Sequence, residues 1–171
     1  GMWHSFVLSA MVLEADRRNK GANAGRERSI NLGTVGAPVR VTPGNLPVNL
    51  MNLRNVLVHN NRWKNGEMFL IVPPEFSNVV IQSEYRLAAD ISCCKDPSML
   101  LTGELPGQLA GFRTIESMRT ISAFDPTVNK QAYYILAFWK EAFAFYGDIT
   151  EGRIIEDKDY GGRQYQMAAL W

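Results

Sequence analysis

Two adjacent prolines, Pro73 and Pro74, constrain this chain more tightly than any other local feature. Neither can donate to a β-ladder, and neither fits inside a helix beyond its first turn. They close Glu67 to Val72, an apolar run of strand length that begins just after Gly66. The expected reading is a strand that stops at the prolines, followed by a helix starting at Pro74 and Glu75. Phe76, Val79, Val80 and Ser83 would form that helix's inward face, through to about Ala88. Upstream, Thr42-Pro43 and Asn45-Leu46-Pro47 place capping side chains before prolines at first-turn positions, where a missing N–H costs nothing. Leu46, Leu50, Leu53 and Leu57 then recur at spacings of four, three and four, so they share one helical face with Met51 and Val56 beside it. Asn60-Asn61 is the expected end of this helix.

The flanking segments are less constrained. Trp3 to Leu13 is apolar but too short for periodicity to decide between strand and helix. Asp16 to Ser29 holds five Arg or Lys residues, two glycines and no aromatic or branched aliphatic side chain, and is expected to be a mobile, solvated basic loop. The chain is accordingly read as an N-terminal segment over 1–32 containing that loop, followed by one α+β domain over 33–171. Glycines and a proline break Leu100 to Ser117 into short extended pieces. Ala132 to Trp139 is expected to be one buried strand running into a helix at Lys140 to Tyr146. Glu151 to Asp159 should bend or form an exposed strand, with a turn at Gly161-Gly162 and a last strand from Arg163 to Trp171. Helices and strands mix without a βαβ rhythm, which predicts an α+β fold: a mixed sheet with packed helices.

Composition excludes more than it identifies. Eighteen basic and 17 acidic residues give a formal charge of +1, so the total makes no case for wrapping nucleic acid or coating an anionic membrane. Cys93 and Cys94 are adjacent, a spacing that rarely reaches unstrained disulfide geometry, and both are read as free thiols of a reducing compartment. The longest apolar runs, Phe6 to Leu13 and Ala132 to Trp139, fall well short of the roughly 20 residues of a membrane-spanning helix. Met2 to Leu13 lacks the cationic start and small-residue cleavage site of a signal peptide. Gly1 ahead of Met2 reads as a remnant of tag removal.

Scarce residue types limit the chemistry. His4 and His59 are the only histidines, and with Cys93-Cys94 they do not make the spaced pairs of a structural zinc site. Cys93 with His59 lacks an orienting third group for nucleophilic catalysis. Gly33-Thr34-Val35-Gly36 is read as turn glycines, since no phosphate-loop lysine or G-x-G-x-x-G follows. Glu156, Asp157 and Asp159 lack the alternating ligands of a calcium loop and are read as a solvated turn. Tyr133, Tyr134, Phe138, Trp139, Phe143, Phe145 and Tyr146 have only Lys130 and Lys140 nearby, so core or subunit contact is favoured over base stacking. No catalytic, cofactor-binding or metal site is expected, and an enzyme is not.

The order of segments carries a resemblance. Val48 to Asn60, then GEMFLIVPPEF at Gly66 to Phe76, IQSEYRLAADIS at Ile81 to Ser92, LTGELPGQLAGFRTIES at Leu101 to Ser117, AYYILAFWKEAFAF at Ala132 to Phe145 and YGGRQYQMAALW at Tyr160 to Trp171 are together similar to tailed-phage and prophage major capsid proteins of the HK97-like fold. The likeness rests on order and spacing over about four-fifths of the chain, and no single motif is diagnostic. It implies parts of the peripheral and axial domains of that fold. It also implies a self-assembling shell subunit made in the bacterial host cytoplasm and residing in the virion. The implied partners are copies of itself, a scaffolding protein, a portal and non-specifically packaged DNA. Family members usually exceed 171 residues and begin with an arm, an extended loop and a long spine helix that have no counterpart before Gly33, which implies a truncated subunit or a decayed prophage gene. Three alternatives stand beside it: an encapsulin-type shell around cargo, a small hydrolase or ligand-binding domain gathering Cys93, His59 and the acids of Glu156 to Asp159 in a pocket, and a tail or head-completion protein.

Overall fold

The computed structural model describes residues 2–85, 103–142, 148–157 and 162–170, with side chains described within 5–85 and 103–142. It comprises two compact units, Gly1–Lys140 and Glu141–Trp171. In the first, helix α1 (Met2–Glu14) settles the open reading of the N-terminal stretch as helical. Leu8 and Met11 are buried, and the Lys20 ammonium donates to the Val12 and Leu13 carbonyls at 3.1 and 3.2 Å, placing a cation where a helix C-terminus has spare acceptors.

Helix α2 (Leu46–His59) follows the leucine spacing: Leu46, Leu50, Val56 and Leu57 are buried and Leu53 is half-buried. Its start departs from expectation in one detail. Asn45 makes no cap bond to the helix; its side chain accepts from the Thr42 amide at 2.7 Å and donates to the Arg40 carbonyl at 2.9 Å, bracing the preceding turn. At the other end the Asn60 amide returns to Val56.

Strand β1 (Met68–Val72) ends at Pro73, and helix α3 (Glu75–Ile81) follows. The helix is shorter than its apolar spacing suggests. Ser83 is buried as expected but lies past the end, where its hydroxyl donates to the Val80 carbonyl at 2.7 Å, the local bond by which serine competes with helix continuation. Glu84 and Tyr85 return to helical conformation, and Ala88 lies outside the described residues. Strands β2 (Gln108–Leu109) and β3 (Phe112–Glu116) bear out the short extended pieces before Ser117.

One expectation is overturned. Ala132 to Trp139 is not a single buried strand; it divides at Tyr134-Ile135. Its first half lies in β5 (Lys130–Tyr133), paired with β4 (Ser122–Asp125) in a two-stranded hairpin, and its second half is β6 (Leu136–Trp139) of another sheet. The Tyr134 amide bonds the Ile121 carbonyl at 2.8 Å at the crossing point, and every residue of β6 is half-buried. An unbroken apolar run cannot show that its two halves pair with different partners. Past Lys140 the chain forms a turn and bend at Glu141 and Ala142, not a helix start; 143–147 lie outside the described residues.

The main sheet has order β2-β3-β1-β6. β1 is central, parallel to β3 and antiparallel to β6, and β2 is antiparallel to β3. Met68, Leu70 and Val72 are fully buried and face a core that includes Leu46, Leu50, Leu57, Phe76, Val80, Leu109 and Phe112. The mixed sheet and three helices among the described residues make the α+β class a finding. In the second unit, β7 (Asp148–Asp157) and β8 (Gly162–Leu170) form an antiparallel hairpin, with an irregularity between Ile149 and Glu151. This gives the expected strands on either side of Gly161-Gly162.

The basic stretch Asp16 to Ser29 contains local backbone bonds. Arg17–Asn19 makes one 3-10 turn, with the Asp16 carboxylate accepting from the Arg18 amide at 2.8 Å. Ala24 and Ile30 exchange backbone bonds at 2.8 and 3.2 Å, and Ala24 is wholly buried. A small apolar residue anchors what lacks large ones.

Two outcomes are expected. Phe112→Ala should cost about 3–5 kcal/mol in urea unfolding, as for other fully buried aromatics, whereas Ile115→Ala on the same strand should stay near the roughly 0.5 kcal/mol usual at a surface; equal losses would refute the assigned faces. In hydrogen exchange, the Ala24 and Ile30 amides should be slower than those of Glu27 and Ser29; uniform fast exchange would bear out a mobile loop.

Candidate functional site

The register of the main sheet places side chains on its two faces. Phe69 pairs with Phe138 and Arg113, and Ile71 with Leu136 and Ile115. Cross-strand partners project to the same face. Phe69, Ile71, Arg113, Ile115, Leu136 and Phe138 therefore form the face opposite the helices. None of the six is buried, and Ile115 is 42% exposed. Phe69 and Phe138 stack with ring centroids 5.8 Å apart and planes 21° from parallel. This gives a nearly continuous apolar strip across three strands, with one arginine on it.

Polar groups fix one margin of the sheet. The Trp139 indole N–H donates to Glu67 at 2.8 Å, and Lys140 pairs with the same carboxylate at 3.2 Å. The Lys64 ammonium lies 4.6 Å from the Trp139 ring centroid, within cation–π range. These donors hold the Glu67 carboxyl below its ordinary pKa: the Trp139 hydrogen bond contributes most, then the hydrogen bond from Lys140, against a smaller opposing effect of desolvation. Nearby, Trp63 meets Phe112 edge-on at 5.0 Å, and the Arg54 guanidinium lies 4.9 Å from the Trp63 ring centroid. Gly111 sits close by at φ +88, and a Cβ there would come within 2.9 Å of the Trp63 ring.

The β4–β5 hairpin adds a second exposed face. Ser122 pairs with Tyr133 and Phe124 with Gln131, and all four are exposed, with Phe124 at 53%. The Tyr133 hydroxyl reaches Glu75 at 3.3 Å, tying the hairpin to the start of α3.

A third feature lies at the C-terminal end of α2. The Asn60 side chain donates to the Arg18 carbonyl at 3.2 Å and to Asn19 at 2.7 Å, while the Gly25 amide bonds the same Arg18 carbonyl at 2.8 Å. The Arg28 amide in turn bonds Gly25 at 3.2 Å. Arg17, Arg18, Arg26, Arg28 and Arg62 are thus gathered around one helix end, all exposed and none with an ion-pair partner among the described residues. Reading the basic loop alone does not find this grouping, because Asn60 and Arg62 join it only through the fold.

The candidate chemical residues are not brought together within the described part. His59 is exposed at the end of α2; the side chains of His4, Glu156 and Asp157 and all of Cys93, Cys94 and Asp159 lie outside it. Among the described residues, no group of three or more His, Cys, Asp or Glu is placed to hold a metal ion, and no helix is long and apolar enough to cross a membrane. Gly33 and Gly36 occupy turns at positive φ, where Thr34 and Ala37 exchange backbone bonds, and a Cβ on Gly33 would meet the Val39 nitrogen at 2.8 Å. Of the aromatic set, Phe138 and Trp139 serve the sheet margin and Tyr133 the hairpin face; Phe143, Phe145 and Tyr146 lie outside the described residues. Comparison with known protein families, curated proteins and solved structures found no match to this chain.

The Glu67 cluster gives a pH prediction. With its folded pKa depressed, the carboxylate contributes stability that is fully present above the ordinary carboxylate range and is lost as pH falls through the lowered value. The Trp139 indole N–H resonance should therefore hold steady down to the ordinary range and move only below it, and Glu67→Gln should flatten that transition. A midpoint at or above the ordinary carboxylate value would contradict the arrangement.

Proposed function

We propose that this chain is a structural subunit of a tailed-phage or prophage capsid shell of the HK97-like class, assembled from many copies of itself around DNA. The observation that supports this reading is the apolar strip on the outer face of the main sheet. A sheet face bearing Phe69, Ile71, Ile115, Leu136 and Phe138 that none of the described helices covers is a surface suited to another protein. In a shell, each subunit meets its neighbours through such surfaces, repeated by symmetry, and its functional residues are contact residues. The segment order from Val48 onward adds the likeness to capsid subunits, and with it the virion as the place of action.

Electron microscopy of the full reading frame, expressed with its genomic neighbours, tests the proposal. Uniform closed icosahedral particles are expected. Ile115→Lys with Phe138→Glu should abolish them while leaving the far-ultraviolet circular dichroism of the subunit unchanged. Particles that form equally well with both charges in place would remove the outer face from the account, and soluble monomers from the unaltered chain would remove the shell reading itself. Particles holding a cargo protein in place of DNA would shift the assignment to an encapsulin-type shell.

A further inference from the structure

The end of α2 draws arginines from two distant stretches of the chain to one place. The Arg18 carbonyl accepts from the Gly25 amide at 2.8 Å and from the Asn60 side chain at 3.2 Å, and the Gly25 carbonyl accepts from the Arg28 amide at 3.2 Å. Gly25 is buried against the helix: a Cβ there would lie 3.8 Å from both His59 Nδ1 and Val56 Cγ2. On the helix side, the Arg62 amide bonds the Leu57 carbonyl at 2.8 Å. These bonds gather the backbone of Arg18, Arg28 and Arg62 around one helix end, with Arg17 beside Arg18 and Arg26 beside Gly25, and all five arginine side chains are exposed. None has an ion-pair partner among the described residues. Of the acids in the same stretch, the Asp16 carboxylate accepts from the Arg18 amide, and Glu27 is a single exposed charge among the five cations. Like charges gathered without neutralising partners raise the energy of the free chain, and a bound anion relieves that cost.

We propose that this arginine cluster binds the phosphodiester backbone of duplex DNA without reading its sequence. This rests on the shell reading, which supplies DNA as the polyanion, and adds to it the site of contact. Exposed guanidinium groups offer planar donor pairs matched to phosphate oxygens, and contacts to phosphate carry no sequence information. A duplex presents one negative charge per about 1.7 Å of its axis, so arginines on an irregular surface find partners without a matching arrangement of acids on another protein. Residue types around the cluster favour the duplex over other polyanions. From Asp16 to Arg62 the chain has no Phe, Tyr or Trp, so the patch lacks the rings on which the bases of a single strand stack. The loop from Asp16 to Ser29 also has no large apolar side chain to enter a lipid surface beside the cations. With a formal charge of only +1 over the whole chain, attraction at long range is slight, and the contact is weak and local.

Fluorescence anisotropy of a labelled DNA duplex of about 30 base pairs, titrated with the purified chain between about 50 and about 200 mM sodium chloride, tests this. With four or five phosphates engaged, the logarithm of the binding constant should fall against the logarithm of salt with a slope near −4, a loss of about 250-fold over that range. Arg18→Gln, Arg26→Gln and Arg62→Gln together should lower the magnitude of the slope by at least about 2, since each lost phosphate contact removes about 1; a smaller drop overturns the proposal. Should the triple variant lose its helical circular dichroism, Arg26→Gln with Arg62→Gln replaces it, with a drop of at least about 1 expected and a smaller one overturning the proposal. A chain that binds no duplex at the lowest salt, while its full reading frame forms particles, overturns this proposal alone. Duplex binding that depends on the arginines, from a reading frame that forms no particles, overturns the shell reading and leaves the site standing. Phosphatidylserine vesicles are the competing probe: binding to them that is lost in the triple variant, without duplex binding, assigns the cluster to a membrane surface and ends the proposal.

Discussion

The rest of the first unit depends on strand β1. It is hydrogen-bonded on both sides, parallel to β3 and antiparallel to β6, and its alternate residues Met68, Leu70 and Val72 are fully buried. Each such side chain removed from water contributes on the order of 1.5–3 kcal/mol, and the strand's position lets all three act on one core. Helices α2 and α3 are fixed by reference to it. α2 presents Leu46, Leu50 and Leu57 to that core, and α3 begins after only two intervening residues, Pro73 and Pro74, presenting Phe76 and Val80. Pro73 prevents the ladder from continuing, while the Ser117 amide still reaches the Val72 carbonyl at 2.9 Å, so the parallel pairing extends to the last residue of β1.

Local periodicity made much of this legible. The four-three-four spacing of leucines located α2 within two residues of its observed start, and the prolines located the end of β1. The final hairpin was legible from the glycine pair between two strand candidates. What the sequence hid were the non-local pairings. MFLIV at Met68–Val72 is apolar throughout, yet only alternate residues are buried, because one face of the sheet meets helices and the other does not. The division of Ala132 to Trp139 between two sheets depends on contacts with Ile121 and β1, more than a dozen residues and more than 60 residues away respectively. Ser83 ended a helix that apolar spacing alone would have continued.

The candidate surfaces follow the same division. The hairpin's aromatic face and the outer strip are consequences of strand register, which no single segment specifies. The arginine cluster is similar: the loop's composition was plain, but the total charge of +1 pointed away from electrostatics, and the Asn60 bonds that join the loop to Arg62's end of α2 are legible in neither. Residue types hinted at subunit contact through the aromatics, without indicating which face would carry it.

The margin formed by Lys64, Glu67, Trp139 and Lys140 bears on how the edge of the main sheet is kept from uncontrolled pairing. β6 is the outermost strand on its side, and the bond from the Lys140 amide to the Glu67 carbonyl sets the ladder's phase so that the Phe138 backbone faces β1 while that of Ala137 and Trp139 points away. A bare edge of four uncharged residues, Leu136 to Trp139, is a template for runaway strand addition and insoluble fibres. Here the edge is short, a lysine lies over the ring of its last residue, and a second lysine follows immediately. An incoming strand would have to desolvate these charges, which disfavours uncontrolled sheet growth while the apolar strip on the adjoining face stays open.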